Sequence, residues 1–302
     1  MEEINRVHSK SARKKIHFII NPASGSGRHD DLAEAVGKYM DPARYECSVS
    51  FTDSPRHAIQ LARKAVEDHT DAIVTAGGDG SVNEIAQTIT GKDTALGIIP
   101  AGSGNGLAHH LHIPFRFSKA LEVINAFRIK TIDTLEINGR TCVSIAGVGF
   151  DAVVAQKFTE NANRGFQSYF RIILGEYAGY KPQKYTIWVD GERYREKVLF
   201  VSFANSNQFG YNAYIAPAAE VDDGLVDICM VRKIPMAKVA ILVNMLFMKQ
   251  IDKSKYVRIV KGKHVLLKGN TQGIVNLDGE VEHLGEEIET VVRPKSLNVI
   301  VP

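Results

Sequence analysis

The chain has 302 residues, of which 44% are hydrophobic and 24% charged, and a formal net charge of +3. This length accommodates two domains, and the composition is typical of a globular protein. The mild charge, without a long run of lysine and arginine, excludes nucleic acid as an expected partner. Three scattered cysteines indicate a reducing compartment. Neither a signal peptide nor an apolar run of about 20 residues is evident, so we expect a cytoplasmic protein without a transmembrane segment.

Residues 14–133 alternate strand-like and helix-like patterns, which predicts an α/β domain with a parallel sheet. The strand-like runs of this part are 16–20, 45–51, 72–75 and 96–99. In parallel sheets, ligands bind at the carboxyl ends of the strands. The glycine-rich and proline-containing turns of this segment all fall at such ends, and we therefore expect the ligand site there.

The turn after the third strand reads Gly-Gly-Asp-Gly-Ser-Val-Asn-Glu, residues 77–84. Ser81 and Glu84 have the spacing of a capping box, which places the start of the following helix at Ser81. Backbone amides and the helix dipole at such a turn favour anions, and glycines let a ligand approach the backbone. Asp79 would repel a phosphate. It therefore indicates either a bridging metal ion or a role in orienting the reacting group.

Two more glycine-rich turns follow the first and fourth strands, at 21–27 and 102–106. Neither continues as Gly-Lys-Ser/Thr, and both lack the third glycine of a dinucleotide fingerprint, which excludes Walker and standard dinucleotide loops. Each turn alone is equally well explained as an ordinary loop. Three of them at one sheet edge favour a bound anion.

The pattern changes near residue 134, where a long helical stretch at 152–180 precedes many short strand-like runs. Two Asp-Gly turns between runs favour hairpins. This half predicts an antiparallel β-rich domain over 134–293, and we expect residues 294–302 to complete the first domain. The strand-like runs are 185–189, 198–204, 226–231, 257–260, 265–267, 274–277 and 288–292. An acidic segment at 215–227 is either a plain turn into a strand or a site for a hard cation.

Taken together, these motifs resemble the diacylglycerol kinase catalytic family of soluble lipid kinases, over residues 16–302. The matching segments are 21–25, Thr52 with His57-Ala58, 77–84, 97–108, 149–152, 223–225 and 278–280. The resemblance implies an NAD-kinase/diacylglycerol-kinase-like α/β domain, a β-rich lipid domain, and an ATP site in the cleft between them. The octet alone is shared with NAD kinases, whereas the later segments point to lipid kinases.

The resemblance also implies roles for individual residues. Glu280 would be the general base for the lipid hydroxyl, in preference to Glu192 of the other Asp-Gly-Glu triplet. Asp79 would help to hold a catalytic Mg²⁺ ion. A second Mg²⁺ would be held by Asp223 and by the backbone carbonyls of Glu220 and Leu225. The nucleotide would contact Asn21, Pro22, Ala23, Ser24, Gly25, Thr52, Gly77, Gly78, Asp79, Gly80, Ser81, Val82, Asn83 and Ser103.

The resemblance predicts an ATP- and Mg²⁺-dependent kinase that phosphorylates a hydroxyl of diacylglycerol or a sphingoid base. Gly106 departs from the family, because many bacterial members carry aspartate there, and the Ser-Gly-Asn turn at 103–105 is closer to sphingosine and ceramide kinases. The lipid is thus open. An NAD kinase and a non-catalytic nucleotide- or lipid-binding protein are the alternatives.

A lipid substrate implies peripheral contact with a membrane surface, and a second copy of the chain is a candidate partner. Two apolar stretches bear on this, 152–180 and 236–248. Either is explained by core packing or by an acyl-chain pocket, and the second also by docking on a membrane surface.

Overall fold

The computed structural model describes residues 13–24, 29–161 and 165–302. Its helices are α1 (His29–Tyr39), α2 (His57–Glu67), α3 (Asp79–Ile89), α4 (Gly106–His110), α5 (Phe117–Ala126), α6 (Phe150–Glu160), α7 (Phe166–Tyr177) and α8 (Met236–Phe247), with a 3-10 turn at Ile251–Lys253. Its strands are β1 (Lys14–Ile20), β2 (Tyr45–Phe51), β3 (Ala72–Gly77), β4 (Ala95–Pro100), β5 (Arg128–Ile137), β6 (Arg140–Cys142), β7 (Ile145–Gly149), β8 (Gln183–Val189), β9 (Glu192–Val198), β10 (Phe200–Ala204), β11 (Val226–Val231), β12 (Val257–Gly262), β13 (His264–Lys268), β14 (Ile274–Leu277), β15 (Glu280–His283) and β16 (Glu287–Val301).

The first four strands form the parallel part of a large sheet. Its strand order is β2-β1-β3-β4-β16-β13-β8-β9. In addition, β5 pairs with β16, and β6 pairs with β5. Strands β1 to β4 pair in parallel, and every residue of β3 and β4 is buried. Strands buried on both faces carry continuous apolar runs, as these two do. The predicted α/β domain with a parallel sheet is confirmed.

A second sheet has the order β12-β11-β10-β7-β14-β15, and all its pairs are antiparallel. One hydrophobic cluster takes members from both sheets, including Leu135, Ile187 and Val265 from the first and Val201 and Phe203 from the second. The two sheets therefore share a core, and the predicted antiparallel β-rich half is confirmed.

Strand β16 connects the two halves, because it pairs with β13 and β5 and also, in parallel, with β4 through Val299 and Leu96. Its register shifts between Arg293 and Leu297, where the Lys295 amide donates to the Asp133 carboxylate over 2.7 Å. The last residues therefore return to the first sheet. The domain limits at 133 and 293 stay predictions, since the sheet runs through both halves.

Two predicted elements are interrupted in the structure. The helical stretch 152–180 is two helices, α6 and α7. The run 198–204 is divided at Leu199, whose amide donates to Val231 over 2.7 Å. Residues before this point pair in the first sheet and those after it in the second, so the chain changes sheets there. Within the described ranges, no helix is long and apolar enough to cross a membrane.

Candidate active site

The turns after β3 and β4 lie in close backbone contact at one sheet edge. The Ala101 amide donates to the Gly77 carbonyl over 2.9 Å. A Cβ atom on Gly102 would come within 2.3 Å of the Gly78 Cα atom, so only glycine allows this approach. The two turns thus form one continuous surface of backbone, and Ser103 lies beside it.

The turn after β1 joins the same edge. Asn21 donates from its backbone amide to Ala76 over 3.1 Å and from Nδ2 to Ser81 Oγ over 3.2 Å. Ser24 Oγ donates to the Asn21 carbonyl, while Pro22 and Ala23 are exposed. Thr52 is held next to β1, because its amide donates to Ile20 over 2.9 Å. Gly25, predicted to contact nucleotide, lies outside the described residues.

Helix α3 begins at Asp79, with Gly78 as its N-cap residue, so the predicted N-cap Ser81 is wrong by three residues. The capping box does not form, because both of its side chains have other partners. Ser81 Oγ accepts from Asn21, and Glu84 Oε1 accepts from the Arg56 amide over 3.1 Å. The earlier start places the first-turn amides of α3 within the glycine-rich octet, where an anion would bind.

Asp79 connects the octet to the turn after β4. Its Oδ2 accepts from the Asn105 amide over 2.7 Å and its Oδ1 from the Gly106 amide over 2.8 Å. Burial raises the pKa of Asp79 to about 6, and the Asp278 carboxylate adds to the rise. The site thus carries negative charge that a cation would offset.

Glu280 approaches this turn from the opposite half of the molecule. It is exposed at the start of β15, directly after the Asp278-Gly279 turn. A Cβ atom on Gly80 would lie 2.7 Å from Glu280 Oε1, so the carboxylate lies directly over Gly80. The glycine of the octet therefore makes room for the predicted general base.

The other Asp-Gly-Glu triplet, at 190–192, has a different environment. It closes the β8–β9 hairpin, and the Asp190 carboxylate accepts from the amides of Lys263 and His264. These contacts attach a hairpin to the start of β13. They give the 190–192 triplet a structural role, without a chemical role for Glu192.

Asp278 is a contact between the two halves that the sequence did not reveal. Its buried carboxylate accepts from the amides of Val143 and Ser144, each over 2.8 Å, and from Ile145 over 3.1 Å. Asn83 Nδ2 also donates to it over 2.7 Å from helix α3. Asp278 thus fixes the hairpin that carries Glu280 relative to the octet.

Two residues predicted to bind nucleotide have side chains with other functions. Val82 is buried in the core beneath the parallel sheet. Asn83 Nδ2 is shared between Asp278 and the Thr141 carbonyl. Both side chains stabilise the packing and position of α3, and their contact with nucleotide stays a prediction.

The acidic segment lies in a loop before β11. Asp223 Oδ2 accepts from the Lys261 ammonium over 2.9 Å, and its Oδ1 accepts from the Leu225 amide over 2.9 Å. Lys261 also contacts Asp227, while Glu220 is exposed. The Lys261 ammonium already supplies the positive charge at Asp223, so this carboxylate does not fit a metal ion as it stands.

In the described part of the chain, no three or more His, Cys, Asp or Glu side chains are grouped as for a metal ion. The Asp79 side fits one better, because the carboxylates of Asp79 and Glu280 both lie at the same glycine-rich turn. A Mg²⁺ ion there would take its other ligands from phosphate and water, as is usual for this ion.

A cavity of about 330 Å³ begins at Asp79, Ser103 and Gly104 and extends between α6, α7 and α8. The rest of its lining is mostly apolar and includes Phe158, Tyr169, Ile173, Leu242 and Leu246. A pocket that is mostly apolar and has a few polar groups at one end binds ligands that are likewise mostly apolar and polar at one end. This cavity suits a molecule with a polar end at Asp79 and an apolar remainder.

Asp151 is a second carboxyl group in this cavity. It is buried near the start of α6, and Asn276 Nδ2 donates to its Oδ2 over 2.9 Å. Burial raises the pKa of Asp151 to about 6. The sequence included Asp151 in a family segment but gave it no role; the structure places it in the lining of the cavity.

Asp151→Asn is expected to stabilise the protein at pH 8 but not at pH 4. An aspartate with a raised folded pKa costs stability as the pH rises from about 4 through about 6, because the unfolded chain ionises more easily. Asparagine keeps the acceptor for Asn276 and removes this cost, which amounts to about 1–3 kcal/mol. Urea unfolding of both proteins at the two pH values measures the difference. A difference independent of pH would contradict the environment described for Asp151.

Gly106 stands where an aspartate was expected from the family resemblance, and the structure has no room for a side chain there. A Cβ atom would lie 2.9 Å from the Gln208 carbonyl oxygen and 3.0 Å from Ser144 Oγ. The loop after β10 therefore occupies the space of the missing carboxylate.

Gly106→Ala is expected to destabilise the chain by about 1–3 kcal/mol, because the methyl group overpacks this contact. Gly106→Asp should be worse and should not raise activity. Gly37→Ala is the matched control, since nothing lies within 4 Å of a Cβ atom there and it should stabilise α1 by up to about 1 kcal/mol. The free energy of unfolding in urea compares the variants. A Gly106→Asp protein as stable as the parent would show that the loop moves readily.

Three features together define a kinase-like protein with an apolar acceptor. They are the fold of two halves, the carboxylates at a glycine-rich sheet edge and the adjoining apolar cavity. The Diacylglycerol kinase catalytic domain matches residues 15–137, and the YegS C-terminal NAD kinase beta sandwich-like domain matches residues 144–301. The chain belongs to the diacylglycerol kinase catalytic-domain family of lipid kinases. The predicted family and enzyme class are confirmed.

Similar proteins agree with this membership. The chain is 27% identical to a diacylglycerol kinase of Bacillus subtilis (strain 168) over 283 residues, which cover 88% of this chain and 90% of the relative. It is 27% identical to a diacylglycerol kinase of Staphylococcus aureus (strain MRSA252) over 281 residues, covering 89% and 86%. A crystal structure of a diacylglycerol kinase from Bacillus anthracis str. Sterne has a TM-score of 0.72 at 18% identity, covering 97% of this chain and 98% of that one, which supports the fold.

Proposed function

We propose that this protein transfers the γ-phosphoryl group of ATP to the hydroxyl group of a diacylglycerol, with a sphingoid base as the other candidate acceptor. The observation that carries the proposal is the apolar cavity that begins at Asp79 and Ser103. A lipid in this cavity would have its polar end at the glycine-rich turns and its chains among α6, α7 and α8. The names of the bacterial relatives favour diacylglycerol.

The nucleotide phosphates are proposed to bind at the combined edge of the three turns. This edge offers the first-turn amides of α3, the glycines of the octet and the hydroxyl of Ser103. Amides at a helix N-terminus favour anions, and their fixed positions align the phosphates without further rearrangement. Thr52 and the exposed Pro22 and Ala23 lie at the end of the same edge and remain candidate nucleotide contacts.

The proton of the lipid hydroxyl is proposed to pass to Glu280. Glu280 is exposed, and the position of its carboxylate over Gly80 directs it toward the turn. Asp79 holds the Asn105 and Gly106 amides and so fixes the turn beside Ser103. When bound, Mg²⁺ would neutralise charge on the phosphates, and Asp79 is the residue that would help to hold it. Phosphoryl transfer depends mainly on such alignment and charge.

The test is incubation of the full chain with labelled ATP and a panel of diacylglycerol, sphingosine, ceramide and NAD. Transfer to diacylglycerol supports the proposal, and transfer to sphingosine changes the acceptor but not the reaction. Label on no lipid would refute the lipid kinase function. Loss of transfer with EDTA and recovery with Mg²⁺ would support the metal requirement.

An NAD kinase is the second candidate, because the C-terminal family is described as NAD kinase beta sandwich-like. Label on NAD alone would favour it. A panel with no labelled product, combined with measurable ATP binding, would favour a non-catalytic protein. A homodimer and the peripheral membrane location stay predictions, which sedimentation and vesicle binding measure.

A further inference from the structure

Helix α8 has an apolar outer surface as well as an apolar inner one. Of its twelve residues, Lys238 is the sole charged one, and none is buried. Its inner side chains Leu242 and Leu246 line the cavity. On the outside, Ile241 is 62% exposed and Met236 is 52% exposed, and Met248, directly after the helix, is 58% exposed. A surface helix normally presents a polar outer face, and α8 does not.

Exposed apolar side chains concentrate on and near α7 and α8, two helices that line the cavity, and Tyr211 and Phe247 line it themselves. Six of the ten large apolar side chains that are exposed in the described part of the chain belong to this region. They are Leu174, Tyr211, Met236, Ile241, Phe247 and Met248. Contiguous exposed apolar surface on a protein marks an interaction site. We call these six residues the α8 surface.

Basic residues accompany the α8 surface. Residues 233–255 include five lysines and a single acidic residue, Asp252. The lysines are Lys233, Lys238, Lys249, Lys253 and Lys255. Apolar side chains between lysines match the acyl and headgroup layers of an anionic bilayer. They match a second copy poorly, since a symmetric contact would bring lysines against lysines.

We propose that the α8 surface docks the protein on an anionic lipid bilayer and places the cavity mouth at the membrane. The inference rests on the proposed lipid kinase function for the use of the cavity. The helix is about 18 Å long and cannot span a core of about 30 Å, so it lies in the interface. Its inner face then lines the cavity while its outer face contacts lipid. A substrate reaches Asp79 by moving past α8 without crossing water.

The test uses sedimentation of the full chain with phosphatidylcholine vesicles, with and without phosphatidylglycerol. The parent should bind the anionic vesicles more tightly, and high salt should weaken this binding. Ile241→Asp with Met248→Asp should lower the partition coefficient at least about tenfold. Lys238→Glu with Lys253→Glu should remove the preference for anionic vesicles. Ile129→Ser is the matched control, because Ile129 is 43% exposed on β5 and outside the α8 surface.

Four results would overturn the docking proposal. The first is that the parent binds no vesicles, and the second is that the aspartate variant binds them as the parent does. The third is that the Ile129→Ser control loses binding equally. The fourth is that the parent forms a dimer in solution and the aspartate variant does not. Because Ile241 and Met248 are exposed, replacing them by aspartate should leave the melting temperature of the parent unchanged. Circular dichroism measures this temperature. Activity of the parent on a short-chain, micelle-dispersed diacylglycerol separates the two proposals. If the parent phosphorylates this lipid but binds no vesicles, only the docking proposal is refuted. If it binds vesicles but phosphorylates no lipid, only the kinase function is refuted.

Discussion

Replacing Glu280 by glutamine is expected to lower kcat for lipid phosphorylation at least about 100-fold, the usual contribution of a general base. Glutamine has nearly the same shape and cannot take the proton. Because Glu280 is exposed at a hairpin end, the melting temperature should stay close to that of the parent. Steady-state transfer of labelled phosphate to diacylglycerol and a thermal unfolding curve measure both quantities.

Glu192→Gln provides the matched control, since Glu192 follows the other Asp-Gly turn at a hairpin of the same form. This variant should keep full activity. Equal loss in both variants, or undiminished activity in Glu280→Gln, would remove Glu280 from the role of base. A raised KM with unchanged kcat would instead assign Glu280 to binding.

Asp278→Ala is expected to give the largest loss of stability, about 3–9 kcal/mol, because it leaves three buried amides without their acceptor at a cost of about 1–3 kcal/mol each. Such a loss is a large part of the about 5–15 kcal/mol that typically stabilises a folded domain. The substitution also removes the hydrogen bond from Asn83 that holds the hairpin carrying Glu280 against helix α3. Activity should therefore fall even at temperatures where the variant remains folded. Urea unfolding and the phosphorylation assay measure the two effects.

Asp190→Ala is the matched control, since Asp190 also precedes a glycine, has a positive φ and accepts two backbone amides. It lies near solvent, so water can replace the lost acceptor, and the loss should be about 1 kcal/mol or less. Similar losses in the two variants would contradict the role of Asp278 as the buried junction between the halves.

The sequence predicted the features that depend on local pattern. Alternation of strands and helices gave the parallel sheet, since its buried strands are continuous apolar runs. The order of motifs distinguished Glu280 from Glu192, and the structure places Glu280 over Gly80. The parallel-sheet inference succeeds because it depends on neighbours in the chain, whereas the choice of Glu280 as the base stays a prediction.

Features that depend on distant partners were missed. Asp278 looked like a turn residue, although its carboxylate contacts 143–145 and helix α3. The start of α3 was misplaced because Ser81 bonds to Asn21, which is 60 residues away. The clash that excludes a side chain at Gly106 involves Gln208. No local pattern in the sequence carries such contacts.

The position of β16 has a consequence for how the protein is made. This strand lies inside the large sheet, between β4 and β13, although it is translated after all the other strands in the described ranges. During synthesis, the parallel strands therefore leave the ribosome with the edge of β4 still open. An open edge is a template for pairing with other chains. We expect nascent chains that stop before residue 287 to require chaperones, and the sheet to close only once residue 301 is free.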